Sequence, residues 1–114
     1  MITRKYRAPR FDAKIDEPYK AWIRTLDCIV CQVWKLRIQG YYGFLEAAHV
    51  GERGLGQKCP DRQTLPICVW HHRLGPQSAH ALGKRFWSYW RLSRPELIAE
   101  HNRKFEKRNE HEAA

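Results

Sequence analysis

No hydrophobic run in the sequence approaches the roughly 20 apolar residues that cross a bilayer, so a membrane-spanning helix is not expected. No internal repeat is visible, which sets aside solenoids and arrays. The start, Met1-Ile2-Thr3-Arg4-Lys5-Tyr6-Arg7, is basic but has no apolar stretch behind it. A secretory leader is therefore not expected, and the expected location is the cytoplasm. Acidic residues are scarce, with 12 Asp and Glu against 21 Lys and Arg, a net charge of +9. A small domain with that imbalance suits a polyanionic partner, of which nucleic acid is the commonest.

What is present is enough for one folded domain. The chain has 114 residues, 43% of them hydrophobic, with five Trp, five Tyr and four Phe, so disorder is disfavoured. Residues 1–15 read as a basic arm, 16–102 as the folded domain and 103–114 as a charged tail that frays. Asp16-Glu17-Pro18 starts a helix over about 18–26, with Tyr19, Trp22, Ile23 and Leu26 at helical spacing. Val33 to Ile38 alternates enough for a short strand, and Phe44 to Val50 reads as a second. Residues 51–64 form a glycine-rich loop, and Leu65-Pro66-Ile67-Cys68 is a further short strand. After the turn Gly75 to Ser78, Leu82, Phe86, Tyr89 and Trp90 share one helical face. Ser93-Arg94-Pro95-Glu96 fits a capping box for a last helix carrying Leu97, Ile98, His101 and Phe105 on one side. The fold class is α+β.

Cysteine spacing carries the first chemical signal. Cys28-Ile29-Val30-Cys31 is a CxxC pair, whose thiolates reach one metal ion. A redox use of the pair wants a strand before it and a helix beginning at it, whereas here a helix is expected to run into Cys28. Cys68-Val69-Trp70-His71 is a second half-site of CxxH form. Together the halves make a Cys3His set, a common structural zinc arrangement, and metal adds folding free energy that a chain this short needs. Cys59 is left over in the loop; it competes with His71 as fourth ligand but lacks a second ligand three residues away.

Of the five other histidines, His49, His72 and His80 carry the next signal. His49 ends an expected strand, His72 follows the zinc ligand His71 and points elsewhere, and His80 starts a helix. Such a set can offer one imidazole as general base and two as ligands to a divalent cation that stabilises a phosphoryl transition state.

With these residues the chain resembles the HNH (ββα-metal) nucleases, in particular the phage recombination-enhancement nuclease (Ref) group. The likeness rests on the CxxC, the strand Glu46-Ala47-Ala48-His49-Val50, the loop Gly51 to Gly56 and Leu65 to His72, and spans about residues 18–100. It implies a small zinc-stabilised ββα-metal core with flanking helices. It implies a metal-dependent endonuclease that hydrolyses DNA, in a phage or prophage setting of recombination or DNA processing. His49 matches the family's general base, His72 its first helix-borne cation ligand and His80 its second. The chain departs from the pattern at three points. His72 and His80 are eight residues apart, Ala48 stands where many members have a ligand, and the central Asn is missing, with Asp61, Arg62 and Gln63 nearby. Asp61 or Gln63 is the candidate substitute. Glu46 shares the face of Ala48 and is expected to reach the cation only if the strand is bulged. The active-site cation is Mg2+, Mn2+, Ni2+ or Zn2+.

Arg53, Lys58, Arg62, Arg73, Lys84 and Arg85 are candidate phosphate contacts, with DNA as the expected partner, RNA as a possible one, and a partner protein or homodimer open. No base-reading helix is evident, so weak sequence specificity follows. Trp87 is placed in the core rather than on a base. The main rival reading is a non-catalytic zinc-stabilised nucleic-acid-binding module.

Overall fold

A computed structural model describes residues 15–51 and 59–113. Most of the basic arm, together with Arg53 and Lys58, lies outside those residues. Helix α1 spans Glu17–Ile23. Asp16 caps it by accepting the Tyr19 N–H at 3.1 Å, and Pro18 sits in the first turn, where a missing N–H costs nothing. The helix is shorter than the apolar spacing suggests. After Ile23 the chain tightens into turns, Thr25 N–H to Trp22 O and Leu26 N–H to Ile23 O.

Helix α2, Ile29–Trp34, replaces the strand expected over residues 33–38. The CxxC knuckle is itself the first helical turn, with Cys28 as its cap and Gln32 N–H bonded to Cys28 O at 2.8 Å. Lys35 then turns left-handed at φ 55° and ends the helix. Val33, Trp34 and Leu36 are exposed, so their alternation did not mark a buried strand face. Trp34 instead donates its indole N–H to Trp90 O at 2.8 Å.

A 3-10 turn, Gly40–Gly43, leads into β1, Leu45–His49. Strand β2, Thr64–Cys68, pairs antiparallel with it, from Leu45 opposite Cys68 to His49 opposite Thr64. All five β2 residues are buried, and Leu65 and Ile67 share a core with Val30, Ala48 and Phe86. These two strands match the expected positions to within a residue.

A turn of π type over Trp70–Leu74 follows β2. Helix α3, Ala79–Leu82, is capped by Ser78 Oγ, which accepts Ala81 N–H at 3.1 Å. Helix α4 spans Arg85–Trp90. The single helix expected here is split at Gly83, whose φ of 59° an L-residue rarely adopts. The split takes Tyr89 off the apolar face: Phe86 is fully buried, whereas Tyr89 is exposed. Trp87 packs on the core as expected.

The last helix, α5, runs over Arg94–Ala113. The segment from residue 103, expected to fray, is helical. Phe105 is the reason: it is buried edge-on against Tyr19, with ring centroids 5.0 Å apart. Tyr19, Ile23 and Phe105 form a second core joining the two ends of the fold. The Tyr19 hydroxyl has no hydrogen-bond partner among the described residues, and burial pushes its pKa up to about 12. Removing an unpaired buried hydroxyl removes a desolvation cost. Tyr19→Phe is therefore expected to be neutral or to stabilise by about 1 kcal/mol in urea denaturation; a clear loss of stability would show that the hydroxyl has a partner. Among the described residues no helix is long and apolar enough to cross a membrane.

Candidate metal centre and its surroundings

Cys28, Cys31, Cys68 and His71 converge from the start of α2 and the end of β2, with their ligand atoms all within 4.8 Å of one another. His71 Nδ1 lies 4.0 Å from Cys28 Sγ, 3.6 Å from Cys31 Sγ and 3.3 Å from Cys68 Sγ. A tetrahedral ion with M–S near 2.3 Å and M–N near 2.05 Å requires S···N edges of about 3.6 Å. The observed edges bracket that value, so the four residues are positioned to hold a metal ion in a geometry consistent with structural zinc. The electrostatics lead to the same conclusion. Hydrogen bonding with Cys68 and then His71 drives the Cys28 thiol down, whereas burial and then the Cys28 charge push Cys31 up. Cys68 is pushed up by its hydrogen bond to Cys28 and by burial. Three adjoining sulfurs cannot all ionise unless a cation joins them.

Helix α2 begins at the CxxC, as a redox pair would have it, and the sequence-based objection to redox chemistry does not hold. Among the described residues no strand precedes it, however, and both sulfurs face Cys68 and His71 instead of forming a two-cysteine exchange site. Cys59 is not part of the cluster; its Sγ lies 3.7 Å from Pro60 O and 3.7 Å from Gln63 Oε1.

Next to the cluster, the turn at Trp70–Leu74 sends His72 to the opposite side from His71. Gly75 and the Ser78 cap fold the chain back, so His80 returns to His72 with ring centroids 4.8 Å apart. The eight-residue interval is thus bridged by a turn inserted before α3. His72 Nδ1 is 2.7 Å from Glu46 Oε1. The pairing of β1 with β2 is continuous through Glu46 opposite Ile67, so Glu46 reaches His72 from a regular, unbulged strand. Arg73 holds the same carboxylate through Nε at 3.1 Å and Nη2 at 2.9 Å. Glu46 is held below the usual carboxylate range, chiefly by Arg73. Burial keeps His72 below the ordinary imidazole value despite Glu46, leaving it neutral at pH 7 as a metal ligand must be.

His49 leaves the other face of β1, being three residues from Glu46. Its Nε2–H donates to Asp61 Oδ1 at 2.9 Å. Asp61 also accepts the Asp16 N–H at 2.8 Å and lies 3.7 Å from Lys20 Nζ. Burial pushes Asp61 up, but the Asp16 N–H, His49 and Lys20 outweigh it and hold the carboxyl ionised. Of the two candidates for the missing Asn, Asp61 meets His49. Gln63 lies elsewhere, with its carbonyl bonded to Val50 N–H.

Two of the candidate phosphate contacts have carboxylate partners. Arg62 binds Asp16 and Glu106, each at 2.7 Å, and lies over the Tyr19 and Phe105 rings, which makes it a clamp between α1 and α5. Arg73 is shared with Glu46. Lys84 and Arg85 are exposed at the start of α4.

The fold and site define a small α+β domain with a Cys3His cluster positioned to hold a metal ion. No protein-family model, no curated protein and no solved structure matches this chain.

Proposed function

We propose that this protein is a metal-dependent endonuclease of HNH type that hydrolyses DNA phosphodiester bonds in a phage or prophage setting. The observation that carries the reading is the Glu46–His72–His80 grouping beside the Cys3His cluster, with a carboxylate-held His49 three residues along the same strand from Glu46. In this reading Cys28, Cys31, Cys68 and His71 hold a structural zinc that fixes β2 against α2. His72 and His80 hold an exchangeable divalent cation. When bound, that cation supplies positive charge to the phosphate and the leaving 3′-oxygen. His49 accepts the proton of the attacking water, and Asp61 fixes the imidazole so that its Nδ1 is the accepting atom. Glu46 and Arg73 orient His72 toward the site.

The test is nicking of supercoiled plasmid by protein dialysed free of exchangeable cations, with Mg2+, Mn2+ or Ni2+ added back. Cation-dependent nicking is expected. His72→Ala is expected to abolish it while one equivalent of tightly held zinc and the thermal transition remain. Nicking that needs no added cation, or that survives His72→Ala, overturns the assignment. The second reading, a non-catalytic zinc-stabilised nucleic-acid-binding module, is favoured by Ala48 standing at the family's ligand position; retained DNA binding without nicking under any cation would support it.

A further inference from the structure

Among the described residues, three exposed aromatic rings lie together just before β1. Tyr41, Tyr42 and Phe44 are 59%, 47% and 68% exposed, although large rings ordinarily go inside. They are rigidly held. Tyr41 and Tyr42 belong to the 3-10 turn Gly40–Gly43, and Phe44 N–H bonds to Tyr41 O at 3.1 Å. Phe44 O accepts Val69 N–H at 2.8 Å, and Tyr42 stands edge-on to Trp70 at 5.3 Å. The Tyr41 ring lies edge-on to Tyr42 at 5.9 Å and to Phe44 at 6.3 Å. Exposed faces are thus presented from a hydrogen-bonded backbone turn.

We propose that Tyr41, Tyr42 and Phe44 are a stacking platform for the unpaired bases of a single nucleic-acid strand, placing that strand beside the Glu46–His72–His80 grouping. The proposal deepens the nuclease reading and rests on its nucleic-acid substrate. Three observations carry it. First, the platform adjoins that grouping: Tyr42 stands edge-on to Trp70, two residues before His72, and Arg73 holds the Glu46 that contacts His72. Phe44 and Glu46 are two strand residues apart, about 7 Å, so a stacked base lies within a nucleotide or two of the cation ligands. Second, the charge around the rings suits a phosphate backbone. Arg24 and Phe44 line the same shallow depression of about 390 Å3, and Lys35 and Arg37 precede the turn. Of the acidic groups in this region, Glu46 is neutralised by Arg73, which leaves Asp27. Third, the ligand must offer free π-faces. A duplex keeps its bases stacked inside, whereas an unpaired base stacks on any aromatic ring regardless of sequence. A second copy of the chain fits poorly, because a two-fold interface would set this cationic region against itself.

The experiment is fluorescence anisotropy with a labelled 12-nucleotide single strand, the same strand carrying abasic sites, and a matched duplex. Wild-type protein and the uncleaving His49→Ala form are compared with Tyr41→Ala, Phe44→Ala and the double variant. Tyr89→Ala, an exposed ring elsewhere, is the control. Each platform ring removed is expected to weaken single-strand binding about tenfold, and the double variant about a hundredfold. The abasic strand should bind wild type more weakly than the intact strand does, and the double variant, which keeps Tyr42, should distinguish the two much less than wild type does. Duplex binding and the Tyr89→Ala control should stay within about threefold of wild type. Equal wild-type affinity for intact and abasic strands overturns the platform, whether or not nicking persists. A loss in the double variant that is the same for all three ligands also overturns it. If Phe44→Ala instead converts a dimer to a monomer in sedimentation with single-strand binding unchanged, the rings are a self-association face. Wild type that binds no nucleic acid in any form defeats the platform and the nuclease reading together, whereas nicking by platform variants with unchanged binding defeats the platform alone.

Discussion

Cys68→Ser is expected to leave the chain without a cooperative thermal transition at 25 °C. A small domain of this kind is stable by about 5–15 kcal/mol, and zinc-finger peptides draw about 10–16 kcal/mol from their metal. The cluster fastens α2 to β2 and to the turn that follows it, and Cys28 and Cys68 sit within the main core. Losing one of three sulfurs weakens the ion's hold and leaves buried thiols in its place. Removing the metal from wild type with a strong chelator should produce the same unfolded signal, and adding zinc should reverse it. Cys59→Ser is the matched control. Its sulfur already lies near carbonyl acceptors, so a serine hydroxyl costs about 1 kcal/mol at most. A Cys68→Ser protein that melts like wild type would remove the metal from the account of stability. The pH dependence has a definite sign. The metal-free chain is expected to be unfolded, with its three ligand thiols at the ordinary cysteine value of about 8.5 and protonated near neutrality, so about three protons leave when the ion binds. Metal affinity should fall by up to about a thousandfold for each pH unit of acidification near neutrality, and metal-linked stability should fall with it.

The second large effect concerns His49. His49→Ala is expected to lower kcat for plasmid nicking by about 10²–10⁴-fold, the usual contribution of a positioned general base. Asp61→Asn is expected to cost about tenfold to a hundredfold, the range seen when a group that orients an active residue is lost. The amide keeps the size of the carboxylate and can still accept the Asp16 N–H, so the cap of α1 should survive. It can also turn its NH2 toward His49 and impose the other tautomer. The distinguishing readout is a fall in kcat with KM unchanged and an unaltered melting curve. An Asp61→Asn enzyme with wild-type kcat would show that Asp61 serves only the α1 network with Lys20, Asp16 and Arg62.

Local chemistry made part of this structure legible in the sequence. The CxxC and CxxH spacings were sufficient to find the metal cluster, because ligand spacing within one turn is a short-range property. The two strands and the Asp16 cap were equally local. Other features depended on tertiary contacts. Val33 to Ile38 alternates like a strand, but the helical knuckle and the left-handed Lys35 override it. The charged segment after residue 103 looks like a fraying tail unless Phe105 is known to meet Tyr19, far away along the chain. Glu46 was visible on the face of Ala48, but its contact with His72 depends on where the π-type turn sends that imidazole. Asp61 and Gln63 were both eligible to meet His49, and only the short 3-10 turn Asp61–Gln63 decides between them. Arg62 read as a phosphate contact because its two carboxylate partners lie far off in sequence.

The second core has a consequence for biosynthesis. Its buried members are Tyr19 and Ile23 from the first helix and Phe105 from the last. A ribosome makes the chain from the N-terminus at about 5–20 residues per second. The four metal ligands, all within the first 71 residues, are therefore synthesised several seconds before Phe105. Metal can be loaded onto a nascent chain whose α1 still exposes Tyr19 and Trp22. Helix α1 must wait for α5 to be translated before its own apolar face is covered.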